Sequence, residues 1–149
     1  MQSFAYNFFN NFVAGVVASI VTVLLLELIR RRRLRQAFKP LVGIYVHVDL
    51  EDHRLLDGTT EVRYLGRNIL ELRGRHGVGE WTGTLRMDET VPGFGTGTYE
   101  YVERPDCGVL QVHVSTRDRS IFVHGLNTSH GKERVFAYRW RRQSDPALA

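Results

Sequence analysis

No Asp, Glu, Lys or Arg occurs between Met1 and Leu26, and six cations follow within the next thirteen residues. About 20 mostly apolar residues, rising about 1.5 Å each, cross a hydrocarbon core of roughly 30 Å. Phe8 to Ile29 has that length. The run predicts a transmembrane helix anchor over residues 1–29 and a polybasic juxtamembrane segment over 30–39. A secretory signal peptide carries its cations before the apolar stretch and small residues at a cleavage site after it. Here Arg30, Arg31, Arg32, Arg33 and Arg35 come after the stretch, and no A-x-A pattern lies between Leu26 and Arg30. A helix lying in the interface would show a charged face along its whole length, and this one shows none before Glu27.

Short segments rich in Lys and Arg stay on the cytoplasmic side of a membrane. The expected placement is therefore the cell inner membrane, with the N-terminus outside and the rest of the chain cytoplasmic. The single cysteine, Cys107, suits a reducing compartment. The arginines either fix topology alone or also hold anionic lipid head groups, at about 1 kcal/mol each. Ala14, Gly15, Ala18, Ser19 and Thr22 set small side chains on neighbouring turns, a pattern that lets membrane helices pack closely. It points to a homo-oligomer. Glu27 is placed to snorkel at the boundary or to pair with Arg30 or Arg31.

Composition changes at Pro40. Up to Lys39 six cations face one carboxylate, whereas from Pro40 on 14 cations face 15 anions. The alkaline character of the chain belongs to its tether. A duplex-binding domain needs a dense basic face, so polymeric nucleic acid is not an expected partner. A small anionic ligand held by a few arginines stays open.

Residues 40–142 read as one domain of modest core, followed by a disordered tail over 143–149. Alternation of period two, the mark of a strand with one buried face, runs through the domain. It sets Ile44, Val46, Val48 and Leu50 against Tyr45, His47 and Asp49. Trp81, Gly83, Leu85 and Met87 alternate with polar residues in the same way, as do Leu70 with Leu72, Leu110 with Val112 and Val114, and Phe136 with Tyr138 and Trp140. Turn signals stand at Asp57-Gly58, Gly66 to Asn68, Gly77 to Gly79, Pro92-Gly93, Pro105 to Gly108, Arg117 to Ser120 and Asn127 to Gly131. Eight strands are predicted, near 43–50, 60–65, 69–75, 80–88, 95–103, 109–116, 120–126 and 133–141. The fold class is mainly β, an eight-stranded antiparallel up-and-down β-barrel behind one transmembrane helix. A β-sandwich is the alternative.

Enzymatic constellations are missing, and no motif asks for a cofactor or metal. The six histidines show no H-x-H or H-x-x-x-H spacing, and no nucleophile elbow, P-loop or H-E-x-x-H occurs. Gly93-Phe-Gly-Thr-Gly97 leads into a strand, so it lacks the helix N-terminus that holds a phosphate. Binding-type features are better represented. Trp81, Tyr99 and Tyr101 stand on adjacent predicted strands and can stack a flat ring, while Arg63, Arg67, Arg104 or Arg139 could reach a phosphate at a barrel mouth. The competing reading makes the aromatics core and the arginines solvated exterior.

This layout resembles the transmembrane β-barrel effectors of bacterial cyclic-oligonucleotide antiphage signalling. The residues carrying the resemblance are Leu41-Val-Gly-Ile-Tyr45, opening the first strand, and Gly79-Glu-Trp-Thr-Gly-Thr-Leu85. In that family a lipocalin-like barrel receives a cyclic nucleotide made by a partner nucleotidyltransferase, and binding promotes assembly in the membrane and membrane damage. Those effectors usually carry two membrane helices, and this chain shows one. The resemblance implies a membrane-anchored receptor for a cyclic nucleotide second messenger, with no catalysis. The alternatives are a non-enzymatic accessory subunit of a membrane complex and a barrel that holds a lipid.

Overall fold

A computed structural model describes the backbone of residues 2–129 and 131–144, and side chains from Phe9 on apart from Asn10. His130 and the last five residues of the predicted tail lie outside the described residues. The chain divides into two units between Leu34 and Arg35.

The first unit is helical. Helix α1 spans Gln2–Phe38, through the arginines and into the second unit. It is long and apolar enough to cross a membrane. Two hydroxyls of the span are satisfied within the helix. Ser19 Oγ donates to the Gly15 carbonyl at 2.9 Å and Thr22 Oγ1 to the Ala18 carbonyl at 2.8 Å, so neither hydroxyl needs water. Arg31 Nε donates to Glu27 Oε1 at 2.9 Å, and Arg30 lies 3.9 Å from the same carboxylate. A methyl added at Gly15 meets nothing within 4 Å, so the small-residue face is open.

The second unit is a closed barrel of eight strands in chain order, every neighbouring pair antiparallel. The strands are β1 (Gly43–Val48), β2 (Leu55–Gly66), β3 (Ile69–His76), β4 (Gly79–Met87), β5 (Phe94–Tyr101), β6 (Cys107–Val114), β7 (Ile121–Ser129) and β8 (Lys132–Arg142). Closure decides between the two all-β alternatives in favour of the barrel. It also pairs the edges that an open eight-stranded sheet would have to protect, except where β8 extends past β1.

Two sequence expectations are corrected. In β1 the buried face is Tyr45 and His47, at 1 % and 2 % exposure, while Ile44 stands 48 % exposed outside. The apolar members of the alternation face outward because the polar tips of Tyr45 and His47 find partners inside. Tyr45 donates to the Leu41 carbonyl at 2.9 Å, and His47 Nε2 lies 2.7 Å from Thr60 Oγ1. A bulge between Val46 and Val48 then turns Val48 inward. The second correction concerns Asp57-Gly58, which lies inside β2 and not in a turn. Gly58 faces the lumen, where a side chain would collide with the His47 ring. Similarly, Cys107 and Gly108 open β6, and Asn127 to Ser129 close β7, so both turn segments are shorter than expected.

The interior has two layers. Towards the end where the chain enters, Leu70, Leu72, Val62, Leu85, Met87, Val112 and Val123 are each no more than 1 % exposed. Burying each larger member contributes about 1.5–3 kcal/mol. Phe38 and Leu41 are buried in the same unit, so its packing begins before Pro40, the expected start of the domain. Arg142 donates to the Val42 carbonyl at this end. The opposite layer is aromatic.

Candidate functional site

Seven strands send side chains into the second layer. His47 (β1), His76 (β3), Trp81 (β4), Tyr99 and Tyr101 (β5), Leu110 (β6), Asn127 (β7), and Phe136 and Tyr138 (β8) line a cavity of about 220 Å³. All lie near the mouth formed by the β1–β2, β3–β4, β5–β6 and β7–β8 connections, opposite the end where the chain enters. The wall is incomplete here. β1 pairs with β8 only from Tyr45–Arg142 to Val48–Arg139, while β8 continues to Lys132 along β7.

A recurrent pairing builds this layer. Gly74 is the cross-strand partner of Trp81, Gly108 of Tyr99 and Gly125 of Phe136. In each pair an added Cβ would lie within 2.0–2.6 Å of a ring atom or, at Tyr99, the phenol oxygen. Each aromatic side chain thus lies across the wall opposite a residue that has no side chain, an arrangement known to stabilise glycine in sheets. The rings also meet one another. Tyr99 makes edge contacts with Trp81, Tyr101 and Phe136 at centroid distances of 5.7, 6.2 and 6.0 Å. Phe136 stacks on Tyr138 at 5.4 Å, and Tyr138 on His47 at 4.7 Å. Offset and edge-to-face pairs of this kind each contribute about 0.5–1.5 kcal/mol beyond area burial, so the rings form a continuous lining.

Among the described residues, no Lys, Arg, Asp or Glu lines the cavity. Burial, and then the nearby His76, hold the His47 imidazole down at about 4, so it is neutral at physiological pH. Burial raises the Tyr99 phenol, with smaller contributions from Tyr101 and Tyr138, and it raises Tyr138 as well. Tyr101 is raised by burial and by Asp106, and Arg104 opposes the shift. Asp106 and Arg104 belong to the β5–β6 segment at the rim. The side-chain oxygen of Asn127 is buried without a hydrogen-bond partner. An unpaired buried acceptor costs about 1–3 kcal/mol, and here it belongs to a residue lining the cavity.

The structure therefore brings together Trp81, Tyr99 and Tyr101 of the sequence-predicted binding residues, and sets Arg104 near Tyr101. It does not bring the other arginines to the cavity. Arg63 points outward and pairs with Glu61 at 2.7 Å. Arg67 sits in the β2–β3 turn at the far end, with φ of 50°. Arg139 covers the outer Phe122 ring, its guanidinium carbon 4.4 Å from the centroid. His47, His76, Leu110 and Asn127 were not among the predicted binding residues, and Phe136 and Tyr138 stood in the sequence only as members of the aromatic stripe of the last strand. Of the lining residues on the last strand, Phe136 has a glycine, Gly125, as its cross-strand partner, a signal visible only once register is known. Among the described residues, no three His, Cys, Asp or Glu side chains group as metal ligands.

No protein-family model, curated protein or solved structure matches this chain.

Proposed function

We propose that this chain is a membrane-anchored, non-enzymatic receptor whose barrel binds a small ligand in its aromatic cavity. The supporting observation is the cavity itself, a neutral ring-lined space kept open by glycines opposite its rings. A barrel built only for stability would fill that volume with side chains. Helix α1 spans the inner membrane in this reading, with the N-terminus outside, the arginines at the cytoplasmic face and the barrel in the cytoplasm. The ligand class suggested by resemblance is a cyclic nucleotide second messenger from a partner nucleotidyltransferase. A cavity of about 220 Å³ falls below the roughly 300–1,000 Å³ that encloses a drug-sized ligand. One base of such a messenger would enter, with its phosphates outside near Arg104. Occupancy acts by favouring assembly of the anchors through Ala14, Gly15, Ala18, Ser19 and Thr22, and antiphage membrane damage follows. The free energy for that shift comes from differential affinity for the two states.

Thermal unfolding of the detergent-solubilised chain with a panel of cyclic di- and trinucleotides tests this reading. A ligand that binds only the folded state adds about 2.7 kcal/mol at a hundred times its Kd. A ligand-specific rise in Tm supports the receptor. A flat response across the panel counts against a cyclic nucleotide.

A second reading, an accessory subunit of a membrane complex, draws on apolar side chains outside the barrel. Val135 is 83 % exposed, and Leu65 and Val109 are also exposed. Purification in mild detergent separates the two: a stoichiometric heterologous partner favours the subunit, and a homo-oligomer favours the receptor.

A further inference from the structure

Resting on the receptor reading, the register of the last four strands points to a residue for the charged end of the ligand. We propose that Arg134 binds a phosphate at the open side of the cavity while an uncharged ring of the same ligand occupies the interior. Residues directly opposite one another in an antiparallel pair share a face. Tyr99 pairs with Gly108, Gly108 with Asn127, and Asn127 with Arg134. These four therefore form one inward row across β5, β6, β7 and β8. Tyr99 and Asn127 line the cavity, and Arg134 ends their row. Alternation along β8 agrees, because Phe136 and Tyr138 also line the cavity and every second residue of a strand shares a face.

Arg134 is placed to act on a group outside the enclosed space. It is exposed, and β1 stops opposite Arg139. Among the described residues, β8 thus has no strand neighbour at Arg134 on the side away from β7. Other barrel arginines are engaged on the outer wall, Arg63 with Glu61 at 2.7 Å and Arg73 with Glu71 at 2.9 Å. Among the described residues no carboxylate pairs with Arg134. A guanidinium offers a fork of donors that matches a phosphate in two parallel hydrogen bonds. The interior cannot take that charge. Among the described residues no cation lines it, and an anion inside would lose its hydration without gaining a counter-charge. The ligand is divided accordingly, with its ring among the aromatics and its phosphate at the opening, where Arg104 also acts on the Tyr101 phenol.

The test is isothermal titration of the full chain in a neutral detergent. The probes are the free rings adenine, guanine and uracil, their nucleosides, their nucleoside monophosphates, and the cyclic di- and trinucleotides. At least one phosphate-bearing probe should bind about tenfold or more tighter than its nucleoside, as a charge-assisted hydrogen bond allows. Arg134→Gln should weaken that probe about tenfold and leave the nucleoside and the Tm of the free protein unchanged. Arg134→Lys, which keeps the charge without the fork, should recover part of the loss. Arg63→Gln removes the same charge from the outer wall and should change nothing. If a phosphate-bearing probe binds wild type and Arg134→Gln equally, the receptor stands and the assignment to Arg134 is overturned. A nucleoside that binds as tightly as its monophosphate, or an equal loss in Arg63→Gln, overturns it too. If no probe binds, this inference and the receptor reading both fall.

Discussion

Replacing Gly74 with Ala should push Trp81 out of its place in the wall. A Cβ at Gly74 would lie 2.0 Å from Trp81 Cε2 and 2.2 Å from Cζ2. Ordinary carbon contact begins near 3.5 Å, so the indole must retreat by roughly 1.5 Å. Trp81 is 5 % exposed, and the cavity it lines is space into which the ring can move. Overpacking of this kind costs about 1–3 kcal/mol. For a barrel of this size that is a fall in Tm of about 4–12 °C, at about 4 °C per kcal/mol. Because the displaced ring occupies the cavity, affinity for any interior ligand should fall as well. Thermal unfolding of wild type, Gly74→Ala, Trp81→Leu and the double variant measures the coupling directly. The double variant should be more stable than additivity predicts by about 1 kcal/mol or more, since leucine vacates the position that the new methyl needs. Gly15→Ala is the control, because nothing lies within 4 Å of its Cβ. Strict additivity, together with an unchanged Tm for Gly74→Ala, would refute the glycine–ring account of the cavity.

Acid should destabilise the barrel through His47. Its imidazole sits at about 4 when folded and near 6.5 when unfolded. As pH falls from 6.5 to 4 the unfolded chain gains a proton that the folded chain refuses, and about 3 kcal/mol of stability is lost. Chemical denaturation across that range should show the loss, and His47→Gln should reduce it. Leu72→Ala empties the apolar layer and should cost about 2–5 kcal/mol by the same measurement. Cys107, the only cysteine and an exposed one, reports topology. With a cytoplasmic barrel, an impermeant maleimide leaves it unlabelled in intact spheroplasts and labels it after permeabilisation, whereas labelling of intact spheroplasts would reverse the orientation.

The eight strands and the helix were legible because alternation and charge-free length depend on local sequence alone. The face of β1 was not. Ile44 and Val46 look like core and Tyr45 and His47 like surface, until Leu41 and Thr60 are seen to satisfy the buried tips. Asp57-Gly58 misled for the same reason, since Gly58 answers the volume of His47 and has no turn to make. Trp81, Tyr99 and Tyr101 could be selected as ring-bearing neighbours. Asn127 could not, because an unpaired oxygen is a property of the packed interior. The arginines failed differently. Arg63 and Arg139 alternate outward with their strands and find Glu61 and Phe122 there, and nothing in their spacing shows which face is solvent.

The central claim is that a ligand enters the barrel, and isothermal titration of wild type against Leu110→Trp tests it most directly. Leu110 is 4 % exposed and lines the cavity, so tryptophan there fills the space without touching the rim at Arg104. The panel would hold the cyclic oligonucleotides and the free rings. The account predicts saturable heat from at least one ligand with wild type, and none from that ligand with a Leu110→Trp protein that still unfolds cooperatively. Equal heats from both proteins would place binding elsewhere and contradict it.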